Sequence, residues 1–146
     1  MTIPAGQLIV LDTNILVDLV RNNDRGRTIN GRFQLTDHAE RPLFSTVTEG
    51  EIFGLVRLPK WRWGEAKLQK LEELLANLVR VNAGLPNVVD AYAELYAASY
   101  ATGNSTGDND LWIAATAFIT KSTLLTTDND FDHLDPQFIK VIKLQP

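Results

Sequence analysis

The sequence contains no cysteine and only two histidines, His38 and His133, in 146 residues. Disulfide scaffolds and cysteine zinc sites are thereby excluded, and a histidine-rich metal centre has too few ligands. Long hydrophobic runs are also missing. The N-terminal segment MTIPAGQLIVLD has no basic stretch, and its apolar run is only Leu8 to Leu11. Nothing approaches the ~18 apolar residues of a membrane-spanning helix, so neither a signal peptide nor a membrane anchor is expected. Positive charge is in short supply, with 14 Lys and Arg against 18 Asp and Glu for a net charge of −4. Taken at face value, that balance disfavours a polyanionic partner.

What is present points elsewhere. The chain is 45% hydrophobic and long enough to bury a core without covalent staples, so residues 1–146 are expected to form one domain. Residues 21–70 hold ten of the 14 basic residues against six acids, leaving the remainder strongly acidic. An acidic cluster beside a basic stretch suits a metal-dependent enzyme acting on a polyanion. Ordinary charge scatter gives the same picture, so position must decide.

Periodicity organises the chain. Gln7 to Leu11 reads as a buried strand, and Ile15, Leu16, Leu19 and Val20 have helical spacing after Asp12, Thr13 and Asn14. The polar stretch 21–32 is expected to be a loop, and 33–40 a short helix. Residues 43–47 form a second strand candidate, followed by a helix over 48–58 that Pro59 ends. An amphipathic helix follows within 61–78, then strand 78–81, helix 87–101, a loop at 102–109 and an almost wholly apolar helix over 111–119. Residues 123–127 and 138–144 are the last strands. Strands alternating with helices imply a parallel sheet covered on both faces.

Eleven Asp and seven Glu cannot all be functional. In an open parallel sheet, ligands bind at the carboxyl ends of the strands, which is where Asp12 and Asp128 follow LIVL and LLTT. Each is equally a helix cap or turn former. Asp110 opens the apolar helix and shares a stripe with Ile113, Ala114 and Ala117, which carries its carboxylate towards the packed side. Glu49 and Glu51 both lie on the 48–58 helix, and periodicity does not separate them. Converging carboxylates repel unless a cation neutralises them. Oxygen ligands without Cys or His select Mg²⁺ or Mn²⁺, and such a site suits phosphodiester hydrolysis.

The stretches LIVLDTNILVDL (8–19), STVTEGEIFG (45–54), NDLWIAATA (109–117) and LLTTDNDF (124–131) resemble, in order, those of a PIN domain. Within that family the resemblance is to the VapC-type toxin ribonucleases. It implies five parallel strands in order 3-2-1-4-5 and an acidic site of Asp12, Glu51, Asp110 and Asp128. Aligning Ser45, Thr48 and Glu51 with the family's S-x-x-T-x-x-E pattern favours Glu51 over Glu49. Asp12, Asp110 and Asp128 would hold the metal, with Thr126 as a supporting hydroxyl and Asn14 organising the first turn by hydrogen bonding. The resemblance further implies an RNA substrate such as a tRNA, a cognate antitoxin, a homodimer and a prokaryotic cytoplasm. The 21–41 stretch is longer and more polar than usual for the family.

Rival patterns fail on their own terms. DNDFD (128–132) opens like a calcium loop, but His133 and Ile139 replace the Gly and Glu it needs. The haloacid-dehalogenase order fails because only 18 residues follow Asp128. A non-catalytic PIN-like module binding RNA or protein is the alternative from another class. Trp61 and Trp63, flanking Arg62, are read first as packing anchors and second as a base-stacking platform. Arg21, Arg25, Arg27 and Arg32 divide between phosphate or antitoxin contacts and a solvated loop. Asp18, Asp130, Asp132 and Asp135 are expected at the surface or in turns, with Asp130 close enough to Asp128 to act through a water. His133 is expected in a turn.

Overall fold

The computed structural model describes residues 6–35, 40–104 and 106–144. Its elements, in order, are β1 (Ile9–Leu11), α1 (Thr13–Arg21), α2 (Asp24–Phe33), β2 (Leu43–Ser45), α3 (Thr46–Leu55), α4 (Glu65–Ala76), β3 (Val79–Val81), α5 (Pro86–Ala101), α6 (Asp108–Thr120), β4 (Thr123–Thr126), a 3-10 turn (Asp132–Leu134) and β5 (Lys140–Lys143). The strands form one sheet in the order β3-β2-β1-β4-β5. Every pairing is parallel, with Val10 opposite Leu43 and Leu124, and Leu125 opposite Ile142. The strand order is the one expected from the resemblance.

Successive strand residues face opposite sides of a sheet, and this alternation divides the core in two. Ile9, Leu11, Phe44, Leu125 and Ile142 join α1 to α4 on one face. Val10, Leu43 and Leu124 join α5 and α6 on the other. On α6, Ala114, Ala115 and Ala117 are fully or almost fully buried, and their small side chains bring that helix close to the sheet. All five strands point their carboxyl ends to one edge. There Asp12 N donates to Leu125 O at 3.0 Å and Leu144 N to Thr126 O at 2.7 Å, extending the ladder to the residues that bear the acids.

The expected loop at 21–32 is a helix instead. Asn23 caps α2 by accepting from Gly26 N at 2.7 Å, and Ile29 and Phe33, four residues apart, both enter the core. Its anchor is Asp18, only 1% exposed, which receives Arg25 Nε at 2.6 Å and Nη2 at 3.0 Å. Asp18 was expected at the surface; burial with its own guanidinium partner explains its place in α1. Gly26 is required at the α1–α2 contact, because a Cβ there would lie 2.1 Å from Asp18 O. Two apolar residues among three Asn and two Gly are too sparse a signal for periodicity, and the contact with α1 overrides the local preference. Of the helix expected over 33–40, Phe33 belongs to α2 and Gln34 ends it in a left-handed conformation (φ 52°). Residues 36–39, including His38, lie outside the described residues.

Candidate metal centre and active site

Asp12 follows β1 and caps α1. Its Oδ1 accepts from Thr13 N at 2.8 Å, and its Oδ2 accepts from Thr126 Oγ1 at 2.7 Å. Capping and membership of the acidic site are thus compatible: the cap uses one oxygen, while the carboxylate as a whole feels Glu51 and Asp128. Asp12 is only 4% exposed. Burial pushes its pKa up to about 6, against the pull of the Thr126 and Thr13 hydrogen bonds, with the charges of Glu51 and Asp128 adding to the rise.

Asp110 occupies the first turn of α6. Its pKa is pushed up to about 7 by burial first, then by a hydrogen bond shared with Asp130 and by the charges of Asp12, Asp130 and Asp128. The turn after β4 supplies the remaining acids. Thr126 Oγ1 accepts from Asp128 N at 2.9 Å, and Asp128 Oδ1 accepts from Asp130 N at 3.3 Å. Carboxylate oxygens of Asp110, Asp128 and Asp130 lie within 4.8 Å of one another.

Packing separates the two glutamates that periodicity leaves together. Glu51 receives the Thr13 hydroxyl in a short hydrogen bond, and Asn109 Nδ2 at 3.3 Å. Glu49, two residues earlier, instead pairs with Arg80 Nε at 3.1 Å. On a helix two residues are some 200° apart, so only one of the pair can face α1 and α6.

The structure therefore brings Asp12, Glu51, Asp110, Asp128 and Thr126 to one edge. It does not bring Asn14 with them. Asn14 is exposed and its side chain makes no hydrogen bond among the described residues. The side chain that caps the first turn is that of Asp12, and Thr13, one position before Asn14, is the residue that faces Glu51. Sequence reasoning undervalued Asp130, which joins the cluster; its D-x-D spacing with Asp128 was the available signal. Thr13 and Asn109 carried no signal beyond their neighbours. Asp108 stands apart, accepting from Tyr92 OH at 3.0 Å.

The other flagged residues make packing or polar contacts within the fold. Trp61 and Trp63 meet edge to face at 5.8 Å, and Trp63 is buried, which is the packing-anchor reading. Arg27 pairs with Asp24, Arg21 lies over Trp61 at 4.7 Å and Arg32 over Phe33 at 4.8 Å. His133 Nε2 lies 2.9 Å from both Ser99 Oγ and Thr106 Oγ1. Among the described residues, no helix is long and apolar enough to cross a membrane.

The model of the PIN domain family matches residues 9–136. No curated protein sequence matches the chain. Solved structures do. VapBC2 from Rickettsia felis, bound to a DNA fragment from its promoter, is 22% identical with a TM-score of 0.75, covering 93% of this chain and 98% of that one. VapBC-5 from Mycobacterium tuberculosis, of the VapBC family of toxin–antitoxin systems, is 25% identical with a TM-score of 0.69, covering 97% and 100%. VapC20 of the same organism, a toxin that cleaves the sarcin–ricin loop, is 15% identical with a TM-score of 0.66, covering 94% and 99%.

Proposed function

The chain belongs to the PIN domain family, and from that premise we propose that it is a divalent-metal-dependent endoribonuclease, the toxin of a toxin–antitoxin pair. The observation that carries the reading is the convergence of Asp110, Asp128 and Asp130 within 4.8 Å, beside buried Asp12. Four carboxylates in one partly buried place are unstable together without a counter-charge. The donor set is oxygen alone, which fits Mg²⁺ or Mn²⁺. Asp12, Asp110 and Asp128 would hold the ion, with Asp130 beside them.

A bound divalent cation supplies positive charge against the phosphate oxygens and lowers the pKa of a water. The chain's own groups do the rest. Thr126 and the Thr13 N–H hold Asp12 in one orientation. Glu51, fixed by Thr13 and Asn109, is placed to accept a proton from the attacking water. Burial and the neighbouring carboxylates raise the pKa of Asp110 to about 7, so a cation held there would favour its ionised form. In-line attack on phosphorus then breaks the bond to the departing oxygen, and structured RNA such as a tRNA is the substrate class.

The likeness to VapBC complexes supports a cognate antitoxin as a partner. A homodimer is part of the same reading, supported by the exposed apolar residues Leu85, Val89, Tyr96 and Tyr100 along α5. A prokaryotic cytoplasm is the corresponding location. The test is incubation of total cellular RNA with purified protein, with Mn²⁺ or EDTA. Discrete fragments that require Mn²⁺ are expected. Absence of cleavage by folded, partner-free protein across RNA pools would point to a non-catalytic binding module.

A further inference from the structure

Positive charge is distributed with unusual polarity about the acidic edge. Between Arg80 and Lys121 the sequence has no Lys or Arg at all, while Asp90, Glu94, Asp108 and Asp110 lie in that stretch. The α5–α6 side is therefore acidic and aromatic. On the opposite face of the sheet, the segment joining α3 to α4 and the first part of α4 carry Arg57, Lys60, Arg62, Lys67 and Lys70, with Glu65 the only acid among them. All five cations are exposed, and among the described residues none is in an ion pair. The exposed guanidinium of Arg21, stacked 4.7 Å from the Trp61 ring, joins them.

This segment is held in shape. Trp63 is buried and Trp61 packs against the same core cluster. The two rings meet at 5.8 Å, and Trp61 N closes a turn on Leu58 O at 3.0 Å. Between the two inward aromatics, Arg62 sits in the left-handed region at φ 51°. A residue with a Cβ is disfavoured there, and a glycine would serve the turn better. Asn22, Gln34 and Lys121 share that conformation, each at the end of a helix; Arg62 adopts it between two packed rings, with its side chain exposed. The patch is linked to the site by α1, which runs from the Asp12 cap to Arg21, about 13 Å at the helical rise. A short run of single-stranded backbone spans that distance.

We propose that the α3–α4 segment, with Arg62 at its tip and Lys60, Arg57 and Arg21 around it, grips the phosphodiester backbone of the RNA a few nucleotides from the scissile bond. It follows that the substrate crosses the acidic edge from the α1–α4 side and that the α5 face takes no part in RNA binding. The inference rests on the nuclease reading and adds a substrate-binding surface to it. Phosphate contacts position the chain without reading its sequence, so this surface contributes affinity and not specificity.

The test uses Arg62→Gly with Lys60→Gln, a pair that removes two charges while relaxing the left-handed residue and so preserves the fold. Binding of a short mixed-sequence single-stranded RNA is followed by fluorescence anisotropy in EDTA between about 50 and 200 mM salt. The double variant should bind more weakly, and its slope of log affinity against log salt should be shallower by about 1.4, at roughly 0.7 per lost phosphate contact. In Mn²⁺ its KM for RNA should rise while kcat at saturation stays the same. Glu94→Gln, at an exposed position on α5, should change neither. If wild-type protein binds and cleaves RNA but the double variant matches it in affinity and salt slope, the patch is not the RNA surface and is left to an acidic protein partner. If wild-type protein neither binds nor cleaves RNA, the nuclease reading fails and this inference with it.

Discussion

Thr126 Oγ1 donates to Asp12 Oδ2 at 2.7 Å across 114 positions of sequence, and the same oxygen accepts from Asp128 N at 2.9 Å. One buried hydroxyl thus ties the acid after β1 to the turn after β4. It also lowers the pKa of Asp12 against the effect of burial. Thr126→Val keeps the shape and removes the hydroxyl. The pKa of Asp12 should then rise further, and metal-dependent cleavage should fall by about 10–100-fold, as for other groups that orient metal ligands. Cleavage rates at several Mn²⁺ concentrations check this, and a variant as active as wild type would count against the role given to Thr126.

Asp12→Asn and Asp110→Asn should each abolish cleavage in Mn²⁺ while leaving the circular dichroism spectrum unchanged. Both remove a charge from a crowded, partly buried place. In EDTA their melting temperatures should equal or exceed that of the wild type. Near-wild-type turnover by either variant would sink the assignment of the acidic site.

The same crowding makes metal-free stability depend on pH. Asp12 at about 6 and Asp110 at about 7 both lie above the ordinary value of 3.8. Between those limits the native state binds more protons than the unfolded chain, so stability falls as pH rises from about 4 to 7. Asp12 alone accounts for on the order of 3 kcal/mol, at about 1.4 kcal/mol per pKa unit. In EDTA the urea midpoint should be higher at pH 5 than at pH 8. Adding Mg²⁺ or Mn²⁺ should stabilise the protein more at pH 8, where the ligands are already ionised. A midpoint flat across this range would remove the basis for treating Asp12 and Asp110 as strained by burial.

Arg25 and Asp18 make a further test. Arg25→Met would leave Asp18, 1% exposed, without its guanidinium partner, a loss of about 3 kcal/mol, at the low end for a broken buried pair because Arg25 is 38% exposed. Equilibrium unfolding in urea gives the magnitude. Limited proteolysis should cut within 24–33 in the variant before it cuts wild-type protein.

The α5 face bears on assembly. Val89→Asp introduces a charge on the exposed apolar stripe and should convert a homodimer to a monomer in sedimentation velocity, with RNA binding retained. A wild-type protein that sediments as a monomer would remove the dimer from the proposal.

Much of this molecule was legible before folding was considered. The strand-then-helix alternation follows from apolar runs and their periods, and it places Asp12 directly after β1 and Asp128 two residues after β4. Caps and turns are local events, so Asp12 at the start of α1 could be read from neighbours a few positions away, whereas Ser45 caps a helix that starts at Thr46, inside the expected strand 43–47. Tertiary structure decided the rest, because it depended on which surfaces meet. Glu51 rather than Glu49 reaches the site because α3 turns one side towards Thr13 and Asn109 and the other towards Arg80. A polar stretch became α2 because a buried carboxylate on α1 could pair with Arg25 and because Ile29 and Phe33 found a core to enter. Asp130 became part of the acidic cluster only when the turn after β4 folded back on α6. Local sequence sets backbone conformation and the period of burial; the choice among equivalent side chains belongs to contacts made far along the chain.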